Sequence, residues 1–286
     1  MNFLRVIEEA VKEELKQDKK PLILFMLGGV DVGKSYTVTA IANRFHALGL
    51  KVAVVDADVG QSDIGPPCCI GMGILRKEIK QISEIPLHSL YFVGNTSPNG
   101  CVRECVEGAA AAVNKAKALN ATVIIVDSTG WIEGEEARMF KLTEIVEINP
   151  SFIIAIAKED ELAHILPHLH KKVIKLRTSS EAKSRTREER RALREDAYNK
   201  YFSAAKNRVF ALSILEWIPE EGTLLGLFDG KSETYEKEAI GLGVLSNLDY
   251  ERGRAVVFTP VDTGDAATTS WIKPCSVQLI EAKSCI

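Results

Sequence analysis

Hydrophobic and polar residues follow two alternating patterns along the first two thirds of the chain. Short, continuous apolar runs are typical of parallel strands buried on both faces, and the longer segments between them show the helical period of about 3.6 residues. Strands are predicted at residues 22–27, 51–56, 90–93, 122–127, 152–157 and 172–176, and helices at residues 1–16, 34–48, 102–119, 135–148 and 160–166. This alternation predicts an α/β fold with a doubly wound, mostly parallel sheet.

The pattern changes in the last third of the chain. After a charged segment at residues 183–194, the apolar runs become short and are separated by turn signals such as Asp229-Gly230, which is typical of strands joined by tight turns. We therefore expect a boundary near Lys206. It separates a first domain, residues 1–206, from a small strand-rich C-terminal module, residues 207–286.

Composition narrows the classes of protein to which the chain can belong. Its 286 residues, 46% of them hydrophobic, suffice for one large α/β core and a smaller module. The apolar run 22–27 is far too short to cross a bilayer, and the acidic N-terminal segment lacks the basic-then-apolar order of a signal peptide. We therefore expect a cytoplasmic protein that makes no membrane contact.

Cysteine and histidine spacing does not favour a metal site. None of the six cysteines belongs to a C-x-x-C pair, which favours buried reduced thiols over zinc or redox chemistry. His164, His168 and His170 cluster around Pro167 without an accompanying carboxylate motif. An ordinary helix end explains this cluster better than a metal site does.

A glycine-rich segment lies between the first predicted strand and the helix that follows it. It reads Gly-Gly-Val-Asp-Val-Gly-Lys-Ser, the pattern of a phosphate-binding loop, or P-loop. In such a loop the backbone N–H groups turn towards the phosphates, Lys34 reaches the β- and γ-phosphate oxygens, and the Ser35 hydroxyl is a magnesium ligand. The residues predicted to bind the nucleotide are Gly28, Gly29, Val30, Asp31, Val32, Gly33, Lys34, Ser35 and Tyr36. The segment therefore predicts a nucleoside triphosphate and Mg²⁺ as ligands.

Two aspartates, Asp56 and Asp58, follow at the end of the second predicted strand. In an open parallel sheet this edge faces the ligand crevice. Because the two acids are separated by one residue, only one of them can point at the magnesium and the γ-phosphate, while the other can brace the loop. Asp58 is the candidate general base or metal ligand, and Gln61 is the candidate for orienting the nucleophile or the metal shell.

Another buried strand ends in Asp127-Ser128-Thr129-Gly130-Trp131. In a GTPase an Asp-x-x-Gly turn contacts magnesium and the γ-phosphate, but Ala157-Lys158-Glu159-Asp160 stands where the guanine-binding Asn/Thr-Lys-x-Asp motif belongs. This departure weakens the GTPase interpretation. Trp131 has two interpretations: its indole stacks on a nucleobase, or it packs as a partly buried core residue.

The charged segment 183–194 contains six basic and two acidic residues. Such a run is usually a solvated helix face. Here arginine outnumbers lysine, and the segment follows the last predicted strand of the sheet, from where it can fold back over the phosphates. The functional interpretation is a lid near residues 178–202 that brings arginine to the charge developing on the phosphoryl group.

Together these motifs resemble those of the RNA polynucleotide 5′-hydroxyl kinases, a family that includes the eukaryotic pre-mRNA cleavage-complex kinase, the nucleolar rRNA-processing kinase and archaeal relatives. The resemblance covers residues 22–202. It rests on the P-loop, Asp-Ala-Asp-Val-Gly-Gln-Ser at 56–62, the turn at 94–99, the 127–131 turn and the arginine-rich lid. It implies a P-loop NTPase fold and ATP- and Mg²⁺-dependent transfer of the γ-phosphate to the 5′ end of RNA, with DNA as a second candidate acceptor.

The resemblance also implies roles for individual residues. Lys34 and Ser35 take the phosphate and magnesium roles, and Asp58 takes the general-base or metal role. Residues implied to hold the acceptor end are Gln61, Thr96, Pro98, Asn99, Thr129, Gly130 and Trp131, with Trp131 stacked on the terminal base. The catalytic lid arginines are drawn from Arg187, Arg190, Arg191 and Arg194, because two pairs among them fit an Arg-x-x-x-Arg spacing.

The chain also departs from the pattern of the family. Eukaryotic members carry a β-rich domain before the kinase core, and Tyr36 stands where a threonine commonly follows the P-loop serine. Both differences leave the choice between ATP and GTP open. The alternative function is a nucleotide-dependent switch or assembly ATPase or GTPase, in which Asp127-x-x-Gly130 moves and water accepts the phosphate.

Overall fold

The computed structural model describes residues 3–15, 21–178, 184–231, 234 and 236–279. Its strands are β1 (Leu22–Leu27), β2 (Val52–Ala57), β3 (Cys69–Ile74), β4 (Leu87–Phe92), β5 (Val123–Ser128), β6 (Phe152–Ala157), β7 (Lys172–Arg177), β8 (Lys206–Ala211), β9 (Thr223–Phe228), β10 (Gly241–Asp249), β11 (Arg254–Thr259) and β12 (Trp271–Gln278). Its α-helices are α1 (Phe3–Leu15), α2 (Lys34–Ala47), α3 (Val102–Ala118), α4 (Gly134–Ile148), α5 (Arg187–Phe202) and α6 (Thr263–Thr268). Every strand predicted in the first domain is present, with small shifts at its ends.

Seven strands form one sheet in the order β4-β3-β2-β5-β1-β6-β7. Five of them, from β2 to β7 in this order, pair in parallel, whereas β3 pairs antiparallel with both β2 and β4. The predicted doubly wound, mostly parallel sheet is therefore confirmed. Because β1 lies between β5 and β6, the P-loop that follows it starts near the middle of the sheet's carboxyl edge.

Apolar side chains cover both faces of this sheet. Helices α3 and α4 pack on one face, around residues such as Phe25 and Val126. Helices α1 and α2, together with the segment 75–85, pack on the other face, around residues such as Leu24 and Ile125. Successive side chains of a strand point to opposite faces, so strands that are covered on both faces need continuous apolar runs.

Strand β3 is the one that the hydrophobic pattern does not predict. It reads Cys-Ile-Gly-Met-Gly-Ile, and its two glycines interrupt the apolar run. The fold requires the first of them, because a Cβ on Gly71 would lie 1.7 Å from the carbonyl oxygen of Ile64. Close approach of two backbone segments, and not strand propensity, selects the residue here.

The prediction of a helix at residues 160–166 is wrong. Turns occupy most of this segment, and a short 3-10 helix follows at Leu166–His168, with Pro167 in its first turn. Proline has no N–H to donate and clashes with the preceding turn of a regular α-helix. The histidines nearby make ordinary contacts: the Nε2 atom of His164 lies 2.7 Å from the carbonyl oxygen of Ile132.

The C-terminal module is an antiparallel sheet of five strands in the order β12-β9-β10-β11-β8. The predicted strand-rich module is therefore present, and its first strand begins at Lys206; residues 280–286 lie outside the described residues. The C-terminal half of α5 packs against β4 of the first sheet and β9 of the second, through Tyr198 and its neighbours. No helix in the described part of the chain has both the length and the apolar character of a membrane span.

Candidate active site

A large cavity opens where β1, β2 and β5 end together. Its volume is about 1160 Å³, and its walls come from the P-loop, the loop after β2, the end of β5, the segment 81–87 and helix α5. Pockets for a single small ligand typically measure about 300–1,000 Å³. The cavity is therefore large enough for a nucleotide together with part of a second substrate.

Two glycines allow the P-loop to approach its neighbours closely. A Cβ on Gly28 would lie 2.5 Å from the carbonyl oxygen of Ile156, and a Cβ on Gly130 would lie 2.6 Å from Cγ1 of Val30. Any larger residue at either point would displace backbone, because β6 and the 127–131 turn both pack directly on the loop. Gly130 thus fixes the shape of the P-loop through contact with Val30.

Lys34 lies at the centre of the P-loop. Its buried ammonium donates hydrogen bonds to the carbonyl oxygens of Gly28, at 3.1 Å, and Gly29, at 2.7 Å. Burial lowers the pKa of Lys34, and the nearby carboxylates of Asp127 and Asp58 oppose this shift. The side chain is thus held where its positive charge can meet phosphate oxygens.

Ser35 and Asp127 form a buried pair beside this lysine. The Ser35 hydroxyl donates to Oδ2 of Asp127 at 2.7 Å, whereas the buried Oδ1 of Asp127 has no hydrogen-bond partner within the described residues. Burial raises the pKa of Asp127 to about 6, although Lys34 and the Ser35 hydrogen bond act against this increase. Hard divalent cations take hydroxyl and carboxylate oxygens, so this pair fits Mg²⁺.

The sequence pattern alone does not single out Asp127 as a site residue. The sequence-based interpretation gives Asp127 a magnesium contact only in the GTPase or switch alternative and does not include it among the site residues of the kinase. The signal that identifies it is strand pairing: β5 lies beside β1, with Asp127 opposite Met26 near the start of the P-loop. Because β1 and β5 are parallel neighbours that end at the same edge of the sheet, Asp127 lies beside Ser35.

The two aspartates after β2 have different surroundings. Asp56 is buried and accepts hydrogen bonds from Ile64 N–H at 2.8 Å and the Ser62 hydroxyl at 3.2 Å. Asp58 lines the cavity, and its Oδ1 accepts the N–H groups of Gly60 and Gln61, both at 3.1 Å. Asp56 therefore braces the loop, and Asp58 faces the ligand space. This division matches the sequence-based expectation.

Helix α5 closes the cavity from above, and we refer to it as the lid helix. A capping box of Thr186 and Glu189 fixes its first turn. Arg190 pairs with the P-loop residue Asp31, and the backbone carbonyl of Arg190 accepts a hydrogen bond from Nε2 of Gln61 at 3.1 Å. The lid helix therefore contacts both the P-loop and the Asp58 loop.

The candidate lid arginines do not share one face of this helix. Arg194 lines the cavity, as do Arg190 and Arg185. Arg191 is exposed and pairs with Glu195 at 2.7 Å, and Arg187 is exposed at the first turn; neither lines the cavity. The structure therefore supports the Arg190/Arg194 spacing and does not bring Arg187 or Arg191 to the site. Residues 179–183 of the predicted lid lie outside the described residues.

Of the residues predicted to hold the acceptor end, Gln61 lines the cavity and the other six do not. The Trp131 indole is partly buried and packs on Phe140 with ring centroids 5.7 Å apart. Thr129 is buried, and its hydroxyl accepts the N–H of Trp131 at 3.4 Å. The structure thus shows Trp131 packed as a partly buried residue, and its stacking on a base stays a prediction.

The turn 94–99 packs directly on the Asp58 loop. A Cβ on Gly60 would lie 2.7 Å from the carbonyl oxygen of Thr96. The carbonyl of Pro98 accepts the N–H of Cys101 at 2.9 Å, and the N–H of Asn99 donates to the Ser97 hydroxyl at 3.3 Å. These contacts place the turn next to Asp58, and its role in acceptor binding stays a prediction.

Comparison with known proteins assigns this set of motifs to one family. The model of the family "mRNA cleavage and polyadenylation factor CLP1 P-loop" matches residues 28–204, from the first glycine of the P-loop to just beyond the lid helix. The chain belongs to this family. The match spans every residue that lines the cavity, from Val30 to Tyr201.

Two archaeal proteins named as polyribonucleotide 5′-hydroxyl-kinases share substantial sequence with the chain. A polyribonucleotide 5′-hydroxyl-kinase of Methanocaldococcus jannaschii is 39% identical over 194 residues, which are 67% of this chain and 53% of that protein. The polyribonucleotide 5′-hydroxyl-kinase of Pyrococcus furiosus is 34% identical over 222 residues, 78% of this chain and 61% of that protein. The chain therefore spans little more than half the length of these relatives.

Solved structures of a CLP1 family member share the fold. The structure of wild-type Clp1p in complex with Pcf11p gives a TM-score of 0.75 at 12% identity, over 97% of this chain and 79% of that chain. Because almost all of the present chain is covered, the likeness includes the C-terminal module as well as the P-loop domain.

Proposed function

We propose that the chain is an ATP-dependent polynucleotide 5′-hydroxyl kinase, which transfers the γ-phosphate of ATP to the 5′ end of RNA. The observation that carries the proposal is that one cavity collects Lys34, the Ser35–Asp127 pair, Asp58 and Arg194. Two archaeal relatives are named for this activity. DNA is the second candidate acceptor, and the cytoplasmic location expected from the sequence stays a prediction.

Phosphoryl transfer requires charge neutralisation and one proton transfer. The 5′ oxygen of the acceptor forms a bond to the γ-phosphorus while the bond from that phosphorus to the β–γ bridging oxygen breaks, and ADP leaves. Lys34 and Arg194 would neutralise charge on the phosphates and on the transferred group. Asp58 would accept the proton of the attacking hydroxyl, as the sequence predicts.

Ser35 and Asp127 would hold Mg²⁺, and a ligand of this ion is the alternative role that the sequence predicts for Asp58. Among the described residues Oδ1 of Asp127 has no hydrogen-bond partner, which supports this assignment because a buried carboxylate oxygen normally has one. Mg²⁺ held by these residues would supply positive charge that offsets the negative charge of the phosphates.

The acceptor end would approach from the side of the Asp58 loop and the turn 94–99. Trp131 is partly exposed, and Phe140 fixes the orientation of its ring. Because the ring is already oriented, stacking a terminal base on it would cost little conformational entropy of the protein. The roles of Thr96, Pro98, Asn99 and Trp131 in acceptor binding are part of the proposal.

The consumption of ATP in the presence and absence of RNA distinguishes this proposal from the switch. A kinase should form ADP in step with the number of 5′-hydroxyl ends, and an otherwise identical 5′-phosphorylated RNA should not stimulate ADP formation. Lys34→Ala should abolish the reaction because the charge at the γ-phosphate is lost. ADP formation that is equally fast without RNA would contradict the kinase and favour the switch.

A further inference from the structure

The lid helix has one continuous face towards the cavity. Arg190, Arg194, Ala197 and Tyr201 all line the cavity, and their spacing of four, three and four residues places them along one side of an α-helix. The arginines occupy the N-terminal half of this face, over the P-loop. The tyrosine occupies the C-terminal end, next to the C-terminal module.

The N-terminal half of the lid helix is attached to the P-loop through an ion pair at the wall of the cavity. Arg190 pairs with Asp31, and the two side chains are 27% and 10% exposed. Both residues line the cavity, so a phosphoryl group bound there would compete with Asp31 for the guanidinium. This pair therefore does not by itself fix the helix during the reaction.

The C-terminal half of the lid helix is attached firmly to the C-terminal module. The Tyr201 hydroxyl accepts the backbone N–H of Leu242, at the start of β10, at 2.9 Å. The adjacent Phe202 ring stacks on Phe258 of β11, with ring centroids 6.1 Å apart. A Cβ on Gly241 would lie 3.0 Å from the Tyr201 hydroxyl oxygen, so the strand approaches the tyrosine as closely as glycine allows.

Tyr198 attaches the same half of the helix to the loops around the cavity. Its buried hydroxyl lies 3.0 Å from Sγ of Cys68. The backbone of Cys68 donates to the carbonyl of Val59 at 3.0 Å, and its carbonyl accepts the N–H groups of Val93 and Gly94 at 2.9 and 3.0 Å. One residue thus connects the lid helix to the Asp58 loop and to the start of the turn 94–99.

We propose that the C-terminal module is the anchor of the lid, and that Tyr201 and Tyr198 are positioning residues that hold Arg190 and Arg194 over the P-loop. The tyrosines act through the helix and not on the substrates. The catalytic part of this inference rests on the proposed kinase function. It also gives the C-terminal module a role for which its sequence contains no motif.

The test compares Tyr201→Phe and Tyr198→Phe with Tyr250→Phe, a matched control at an exposed tyrosine in the turn between β10 and β11. Misplacement of the arginines should lower kcat for RNA phosphorylation by about tenfold, with KM for ATP changed by less than about twofold. The control should behave like the wild type. Tyr198→Phe retains the Tyr201 contact, so it keeps the test valid if Tyr201→Phe does not fold.

The same substitution made in a variant that lacks both lid arginines shows whether the tyrosines act through the arginines. When Arg190 and Arg194 are both alanine, adding Tyr201→Phe should change kcat no further, because residues that act through one another are not additive. An equal tenfold loss in that background, or a rise in KM for RNA with unchanged kcat, would overturn the inference. Either result would mean that Tyr201 contacts substrate or only stabilises the fold.

Hydrogen exchange tests the anchor without any turnover. In Tyr201→Phe, the backbone amides of residues 187–197 should exchange faster than in the wild type, while those of α2 and α3 stay protected. If the wild-type protein transfers no phosphate, the proposed function fails and this exchange pattern alone decides on the anchor. Unchanged protection of the lid helix would overturn it.

Discussion

At the scale of single residues, the site combines side chains of the P-loop and of the Asp58 loop with Asp127, which β5 brings beside Ser35. The P-loop motif identifies Lys34 and Ser35, and the one-residue spacing of two acids separates a bracing Asp56 from a cavity-facing Asp58. Asp127 could not be identified in this way. Its place beside Ser35 depends on β5 pairing with β1, and a single sequence does not show which strand lies next to the P-loop strand.

Asp58→Asn should separate chemistry from nucleotide binding. The amide retains an oxygen that can accept the N–H groups of Gly60 and Gln61, so the loop should keep its shape. A lost general base should lower kcat by about 100-fold or more, with little change in the affinity for ATP. Steady-state kinetics together with calorimetric titration of ATP measure both quantities. A variant with weakened ATP binding and normal kcat at saturation would contradict the role.

The buried ion pair of Lys141 and Glu144 gives a prediction about stability. The two side chains are 0% and 1% exposed, and their charged atoms are 3.0 Å apart. Lys141→Met leaves the carboxylate without its partner and should destabilise the fold by about 3–5 kcal/mol at neutral pH. Lys141→Met combined with Glu144→Leu should recover most of this loss, as thermal or urea unfolding would show. A single variant as stable as the wild type would contradict the prediction.

The pH dependence of the Lys141→Met variant follows from the same pair. Burial raises the pKa of Glu144 above 4.5, and Lys141 opposes this shift, so removing Lys141 should raise the pKa further. The folded state then keeps a proton that the unfolded state has released, and stability falls as the pH rises above about 4.5. The difference in unfolding free energy between variant and wild type should therefore be smaller at mildly acidic pH than at neutral pH.

At the scale of elements, the sequence predicts a basic lid but not the orientation of its arginines. Both pairs with the Arg-x-x-x-Arg spacing have helical periodicity. The choice depends on how the helix is rotated about its axis, which the Tyr201 contact with β10 and the Tyr198 contact with Cys68 hold fixed. These partners are distant in the chain. The same limit applies to β3, whose glycines are explained only by the neighbouring backbone.

Arginine substitutions in the lid helix test this orientation. Arg194→Ala should lower kcat by about 100-fold at saturating ATP and RNA, because a donor to the transferred charge is lost. Arg187→Ala removes an equal charge from the first turn of the helix, outside the cavity, and should leave kcat within about twofold, since exposed charges contribute little. Equal effects of the two substitutions, measured as initial rates, would contradict the assignment of the cavity-facing side.

At the scale of the whole molecule, the alternation of apolar runs and helical segments is enough to predict an α/β domain with six of its seven strands and the change of architecture near Lys206. It does not predict how the two sheets are joined. The sequence predicts the lid helix only as a charged segment over the phosphates. Three aromatic residues of this helix, Tyr198, Tyr201 and Phe202, nevertheless pack with β4, β9 and β11. The lid helix therefore packs on both sheets and joins them into one structural unit.

The position of the transferred phosphate tests the central claim most directly. A short 5′-hydroxyl RNA would be incubated with γ-labelled ATP, Mg²⁺ and the protein, and the labelled RNA would then be digested to mononucleotides. The proposed function predicts label on the 5′ phosphate of the first nucleotide alone, none on an RNA that already carries a 5′ phosphate, and none with Lys34→Ala. ATP consumption with all label released as inorganic phosphate, and none on the RNA, would contradict the claim.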